Sequence, residues 1–341
     1  MYSPSPTGIA QRSPFRRILT SHLALWLALL FIGWTSPLRA APPVRLGGLE
    51  ELRLQDLRVA SVTYRLALAN KALCRGGVTP QLGFTLHGIE QYEVADRARV
   101  AAGFALGSYA GVMAIVPFSP AEKAGLTADD QLVSVNGRAL ITGAAGANLR
   151  PTRAFVQRTQ NIILEEMKTG EVTLRVSSAR GLRDVRFAPE LGCSSNVELV
   201  PGDEVNAWAD GQRVVIGAGL LARCGTDDDL ALVIAHELAH NLLGHSRKLA
   251  AAGTQGAVMA ILGSGSAMMR ETEEEADGMA VRMAITAAYD LTRAEAFMSR
   301  LLDGRDAASL AQTHPTRDRR LALLRAEIAA ARAGSPGRRS R

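Results

Sequence analysis

The stretch His236-Glu237-Leu238-Ala239-His240 constrains this chain most, because it lies inside a helix-forming run, Leu230 to Leu243, that is apolar on nearly every side. Residues four apart share one face of a helix, so His236 and His240 can aim imidazole nitrogens at one zinc ion, with Glu237 beside it. The preceding Asp229-Leu-Ala-Leu-Val-Ile-Ala suits a helix in the middle of a domain. Two histidines and a glutamate are costly there unless they serve a purpose. A core helix with hydrogen-bonded structural histidines is the alternative, and the burial cost weighs against it.

A catalytic zinc takes three protein ligands and leaves a position for water. One route to the third ligand is H-E-x-x-H-x-x-G-x-x-H. Here the run continues Asn241-Leu-Leu-Gly244-His245, so both the Gly and the His miss that register. Five residues past His240, at roughly 100° per residue, His245 is expected to turn away from the metal face as a structural or surface residue. The other route is a glutamate on a later helix. Glu271-Thr-Glu273-Glu274-Glu275-Ala276-Asp277 lies about thirty residues downstream in a helix-compatible stretch. Glu273 and Asp277 share a face, so Glu273 is the expected third ligand and Asp277 the acceptor for the second N–H of a ligating histidine. A solvated acidic face is the alternative for such a run.

H-E-x-x-H followed by Glu273-Glu-Glu275-Ala-Asp277 resembles the gluzincin metallopeptidases of the HtpX, CAAX-prenyl-protease and BepA-like family. Two flanking segments resemble it too: Asn206-Ala207-Trp208-Ala209 with Gly219-Leu-Leu before the helix, and Thr313-His314-Pro315 with Arg320-Leu321 after it. The resemblance spans about Cys193 to Glu327 as four ordered motifs. Val205 to Gly217 alternates around Asp210-Gly211, which suggests a hairpin. The resemblance implies that its edge pairs with the substrate backbone, making Asn206 and Ala207 substrate-positioning residues. It also brings His314 toward the zinc, as a displaceable fourth ligand or as a donor to the developing oxyanion. Arg320 is a candidate for that second role. A basic, solvated helix start is the alternative for Thr313 to Arg320. In the implied chemistry zinc acidifies water and polarises the scissile carbonyl, and Glu237 takes the proton from water and passes it to the leaving amine.

A second unit precedes these motifs. Gly111 to Gly137 reads as strand, short helix, strand and Asn-Gly turn. With Ser119-Pro-Ala-Glu-Lys-Ala-Gly125-Leu and Asp130-Gln-Leu-Val-Ser-Val-Asn136-Gly137 it resembles the PDZ domains of bacterial envelope proteases, except that Asp129 stands where Gly is usual. A helix from Ala154 to Met167 and a strand from Glu171 to Ser177 complete it. Leu82-Gly83-Phe84 resembles the loop whose backbone N–H groups hold a peptide C-terminus. A PDZ unit that only packs against the protease is the alternative. Leu49 to Leu73 is helical and amphipathic, and could be the first helix of the peptidase unit, making the PDZ unit an insertion. Cys74 and Cys193 stand at the borders of that insertion and are expected to form a disulfide in an oxidising compartment, with Cys224 free and buried.

The chain opens with Arg16-Arg17, an apolar run from Leu23 to Trp34 and Ala40-Ala41, the pattern of a signal peptide. Leu38 makes the cleavage site imperfect, and an uncleaved anchor is the alternative. The net charge of +6 comes partly from this region and from the tail. With no aromatic-interleaved basic patch, nucleic acid is not an expected partner. Leu249 to Met269 carries no charge and is expected to be a lid or membrane-touching segment.

The expectation is therefore an α+β protein divided as follows: residues 1–40 signal peptide, 41–78 an N-terminal helical segment of the peptidase, 79–189 a PDZ-like β-sandwich or barrel, 193–332 a mainly helical gluzincin-type domain with a small β-hairpin edge, and 333–341 a disordered basic tail. With one Zn²⁺ per chain it would be a periplasmic endopeptidase acting on unfolded or misassembled envelope proteins, with possible membrane-surface contact. A latent, chaperone-like peptide binder is the alternative. Intact Glu237 argues against that reading, since a pure binder needs no general base.

Overall fold

Buried apolar side chains fall into three clusters that divide the chain by element type. Phe84 to Phe187 supply a sheet core, in which apolar residues alternate along the strands, as in Val172, Leu174 and Val176. Val59, Val62 and Leu66 join residues 214–324 in a helical core. A small third cluster links Leu49 to Ile89, Val100, Phe104 and Met113. The structure, a computed structural model, describes residues 48–74, 77–143, 150–252, 264–303 and 315–334. The expected signal segment, His314, residues 253–263 of the charge-free stretch and the tail beyond Gly334 lie outside the described residues. Among those described, no helix is long and apolar enough to cross a membrane.

In chain order the first part comprises α1 (Leu49–Ala69), β1 (Thr79–Pro80), β2 (Phe84–His87), α2 (Arg97–Gly103), β3 (Gly111–Ile115), α3 (Pro120–Lys123), β4 (Gln131–Val135) and β5 (Arg138–Ala139). It continues with α4 (Ala154–Met167), β6 (Val172–Ser178), β7 (Gly181–Phe187) and β8 (Leu191–Gly192). The main sheet runs β2-β3-β4-β6-β7, with β5 on β4 and every pairing antiparallel, so β2 is an edge strand. Ser119 caps α3 by accepting from Glu122 N–H at 3.2 Å, with Pro120 in the first turn. Asp129 has φ +68°, a left-handed conformation that Asp tolerates where Gly is usual.

The second part comprises β9 (Asn196–Val200), β10 (Ala207–Ala209), β11 (Arg213–Gly217), α5 (Ala218–Leu221), α6 (Asp227–Leu243) and α7 (His245–Ala251). Three further helices are α8 (Ser264–Thr286), α9 (Ala294–Leu302) and α10 (Arg317–Gly334). A small sheet runs β10-β11-β9, antiparallel on one side and parallel on the other, which leaves β10 at an edge. Helix α6 starts at a capping box, in which Thr226 Oγ1 accepts from Asp229 N–H at 3.2 Å and Asp229 returns a bond to Thr226 N–H.

Helix α1 packs on α6, so the chain leaves the helical core after α1, builds the main sheet and returns. Strand β1 pairs with β8 where the chain departs and returns, and Cys74 is bonded to Cys193 at the same place, 119 residues apart in sequence. Cys224 is free and buried. Non-reducing peptide mapping of the protein purified without reductant is expected to join the Cys74 and Cys193 peptides, with Cys224 alkylated only after unfolding. Reduction should cost about 2–4 kcal/mol of stability. A map with Cys224 bridged to either partner would overturn the pairing.

Candidate metal centre and active site

Every donor in the cluster comes from two helices that cross in the core, α6 and α8. Successive turns of α6 bring His236 and His240 together, with Nε2 atoms 3.1 Å apart. Glu273 of α8 meets both: its Oε2 lies 3.5 Å from His236 Nε2 and its Oε1 3.5 Å from His240 Nε2. A tetrahedral zinc with bonds of about 2.0–2.1 Å needs ligand atoms about 3.3 Å apart. Two imidazoles and a carboxylate at these separations fit such an ion, and among the described residues this is the one group of three or more such side chains placed to hold a metal.

Asp277, one turn beyond Glu273, supports the centre from behind. Its Oδ1 lies 2.9 Å from His236 Nδ1, a buried nitrogen that makes no aligned hydrogen bond in this arrangement. Arg320 of α10 grips the same carboxylate with both arms, Nη2 to Oδ1 at 2.6 Å and Nε to Oδ2 at 2.8 Å. Burial would raise the Asp277 pKa, but the Arg320 charge and then His236 bring it down to about 2. Burial would likewise depress His236, yet Asp277 and Glu273 outweigh it and raise the imidazole to about 10. Burial, then the His236 charge, hold His240 down to about 3. Arg320 is committed to Asp277 in this arrangement, while it also lines the cavity over the cluster.

His245 departs from the sequence expectation. Rather than turning toward the surface, it is 1 % exposed, with Nδ1 2.9 Å from His240 Nδ1. The reason is Gly244, which ends α6 in the left-handed conformation at φ +67°, so the helical rotation does not carry over to His245. Its Nε2 lies 2.9 Å from Glu275 Oε2, which is also 2.9 Å from Lys248 Nζ. Gly followed by His directly after the H-E-x-x-H helix was the available signal.

A cavity of about 710 Å³ opens over the cluster. Glu237 lines it beside the ligands, as do Asn206 and Ala207 on and next to β10. Met298, Leu301 and Leu302 of α9 and Leu324 of α10 form an apolar wall that no sequence motif marked. The hairpin is held to α6 by Asn241, which accepts from Gly211 N–H at 2.7 Å and donates to the Arg213 carbonyl at 3.1 Å. The β10 edge therefore has a fixed position relative to the histidines.

A second cavity, of about 450 Å³, lies between β2 and α4 and is walled by α1 and β9. Leu82, Gly83 and Phe84 line it. Gly83 has φ +70°, and a Cβ there would sit 2.7 Å from the Ser119 Cβ, so the position demands glycine. Its carbonyl accepts from Val116 N–H at 2.9 Å and from Ser119 Oγ at 3.2 Å, which pins the loop. Arg153, beside the start of α4, pairs with Glu198 of β9 at 3.0 Å, and Gln160 donates to Asn196 at 3.2 Å, so the groove has a wall from the second part of the chain.

Two family models match parts of the chain. Residues 186–268 and 250–328 match the family model for peptidase family M48, and residues 111–147 match that for a PDZ domain. No curated protein matches the chain closely enough to count as a relative. The chain thus contains a peptidase family M48 domain, which implies metalloprotease activity, together with a PDZ domain, which suggests recognition.

Proposed function

We propose that the protein is a zinc-dependent endopeptidase of the cell envelope that hydrolyses misfolded or misassembled envelope proteins, with relatives in the HtpX and BepA-like group. The convergence of His236, His240 and Glu273 beneath a cavity that Glu237 also lines carries this reading. The three ligands would hold one zinc, which supplies Lewis acidity to water and to the scissile carbonyl. Glu237 accepts the proton of the attacking water and delivers it to the leaving amine nitrogen. An extended substrate adds to the outer edge of β10, where Asn206 and Ala207 set its register. Arg320 acts through Asp277 and His236, and His314 keeps the two roles its motif suggests, a displaceable ligand or an oxyanion donor.

The envelope assignment draws on the amino-terminal signal pattern and on the Cys74–Cys193 bridge, since disulfides persist in oxidising compartments. The groove between β2 and α4 would take a peptide as a further strand on β2, its C-terminal carboxylate on the loop at Leu82, Gly83 and Phe84. The purified chain is expected to digest casein, to stop when a chelator strips the metal and to recover on zinc addition. Digestion unchanged by metal removal, or none by the zinc-loaded chain, would overturn the reading.

A further inference from the structure

The proton positions along His240, His245 and Glu275 are fixed by the groups at either end. Resting on the zinc reading above, His240 offers Nε2 to the metal, because Nε2 is the atom that faces His236 Nε2 at 3.1 Å and Glu273 Oε1 at 3.5 Å. A lone pair on Nε2 requires the His240 proton on Nδ1. That N–H faces His245 Nδ1 at 2.9 Å, which must then accept, so the His245 proton sits on Nε2. His245 Nε2 faces Glu275 Oε2 at 2.9 Å, and an ionised carboxylate only accepts. The Lys248 ammonium, 2.9 Å from the same oxygen, favours that ionised form.

The opposite assignment fails at both ends. Were His245 Nδ1 to donate, His240 would carry its proton on Nε2, aimed into the cluster, where it would block the metal. His245 Nε2 would then present a lone pair to a carboxylate. We propose that His245, with Glu275 behind it, is a positioning residue that holds His240 in its metal-binding tautomer. Each histidine ligand is then oriented by a carboxylate of α8, His236 directly by Asp277 and His240 through His245 by Glu275. Arg320 secures the first carboxylate and Lys248 the second. Glu275 and Asp277 are two residues apart and so point in different directions from α8, which lets one helix serve both ligands.

The test is zinc affinity of the full chain, measured by competition with a chromogenic chelator, together with melting of the metal-free protein. His245→Phe, which fills the buried space without an acceptor, should weaken zinc binding by about 10- to 100-fold while metal-free melting stays near wild type. His245→Asn, whose amide oxygen replaces Nδ1 as acceptor, should recover most of the loss. Glu275→Ala, at a side chain 40 % exposed and so tolerant of change, should also weaken binding and keeps the proposal testable if His245→Phe does not fold. Nitrogen-15 spectra of the zinc-loaded wild type should show His240 protonated at Nδ1 and His245 at Nε2. Wild-type affinity in His245→Phe or in Glu275→Ala would overturn the proposal, as would His245→Asn binding as weakly as His245→Phe. In each of those cases the zinc reading stands. A wild-type chain that takes no zinc would overturn the zinc reading, and this inference with it.

Discussion

Replacing Glu237 by Gln is expected to leave one zinc per chain and to cut peptide hydrolysis by about 10²- to 10⁴-fold, the range for losing a positioned general base. Glu237 is not one of the three side chains whose donor atoms converge, so the metal keeps its ligands. It follows His236 on α6 and lines the cavity in which a scissile bond would lie. Gln keeps the shape of the side chain and its oxygen but cannot take a proton from water. The loss should fall on kcat with little change in KM, since the interaction is made in the transition state. Metal analysis and hydrolysis of one quenched peptide by both proteins decide the matter. Turnover within a few-fold of wild type, at full zinc content, would remove Glu237 from the chemistry.

How far the sequence exposes this site depends on whether one regular helix carries the geometry. His236, Glu237 and His240 lie within α6, and Glu273 and Asp277 within α8, so helical spacing alone says which side chains share a face. His245 lies beyond a left-handed glycine, and the same rotation rule carried across Gly244 points it the wrong way. Arg320 sits in a recognisable H-P-x-x-x-x-R spacing, which marks proximity to the site and leaves open which carboxylate it meets. That depends on how α10 packs on α8, a contact with no local pattern. The apolar wall from Met298, Leu301 and Leu302 is hidden for the same reason. In the PDZ unit, strand and turn chemistry is local and legible from Gly111 to Gly137, while the packing of α2 and its neighbours on the start of α1 is not.

The acidic run on α8 yields the other large effect, because successive residues about 100° apart face different partners. Glu273 faces both histidines, Glu274 pairs with Arg319 at 2.8 Å on the exposed side, and Glu275 meets His245 and Lys248. Glu271 is exposed. Glu273→Ala removes one of three ligands and should weaken zinc binding by more than the roughly 10- to 100-fold typical of an outer partner. Activity falls with it at ordinary zinc concentrations. Glu271→Ala and Glu274→Ala should bind zinc as wild type does, because neither side chain approaches the cluster and the Glu274–Arg319 pair, screened by solvent at its Arg319 end, contributes little to stability. Asp277→Ala belongs between these extremes, since it removes the carboxylate beside His236 Nδ1 and unpairs the half-buried Arg320 without removing a donor to the metal. Equilibrium dialysis of the four variants against zinc measures the order. Full zinc retention in Glu273→Ala with loss in Glu274→Ala would mean that α8 presents a different face to α6, and the third ligand would have to be reassigned.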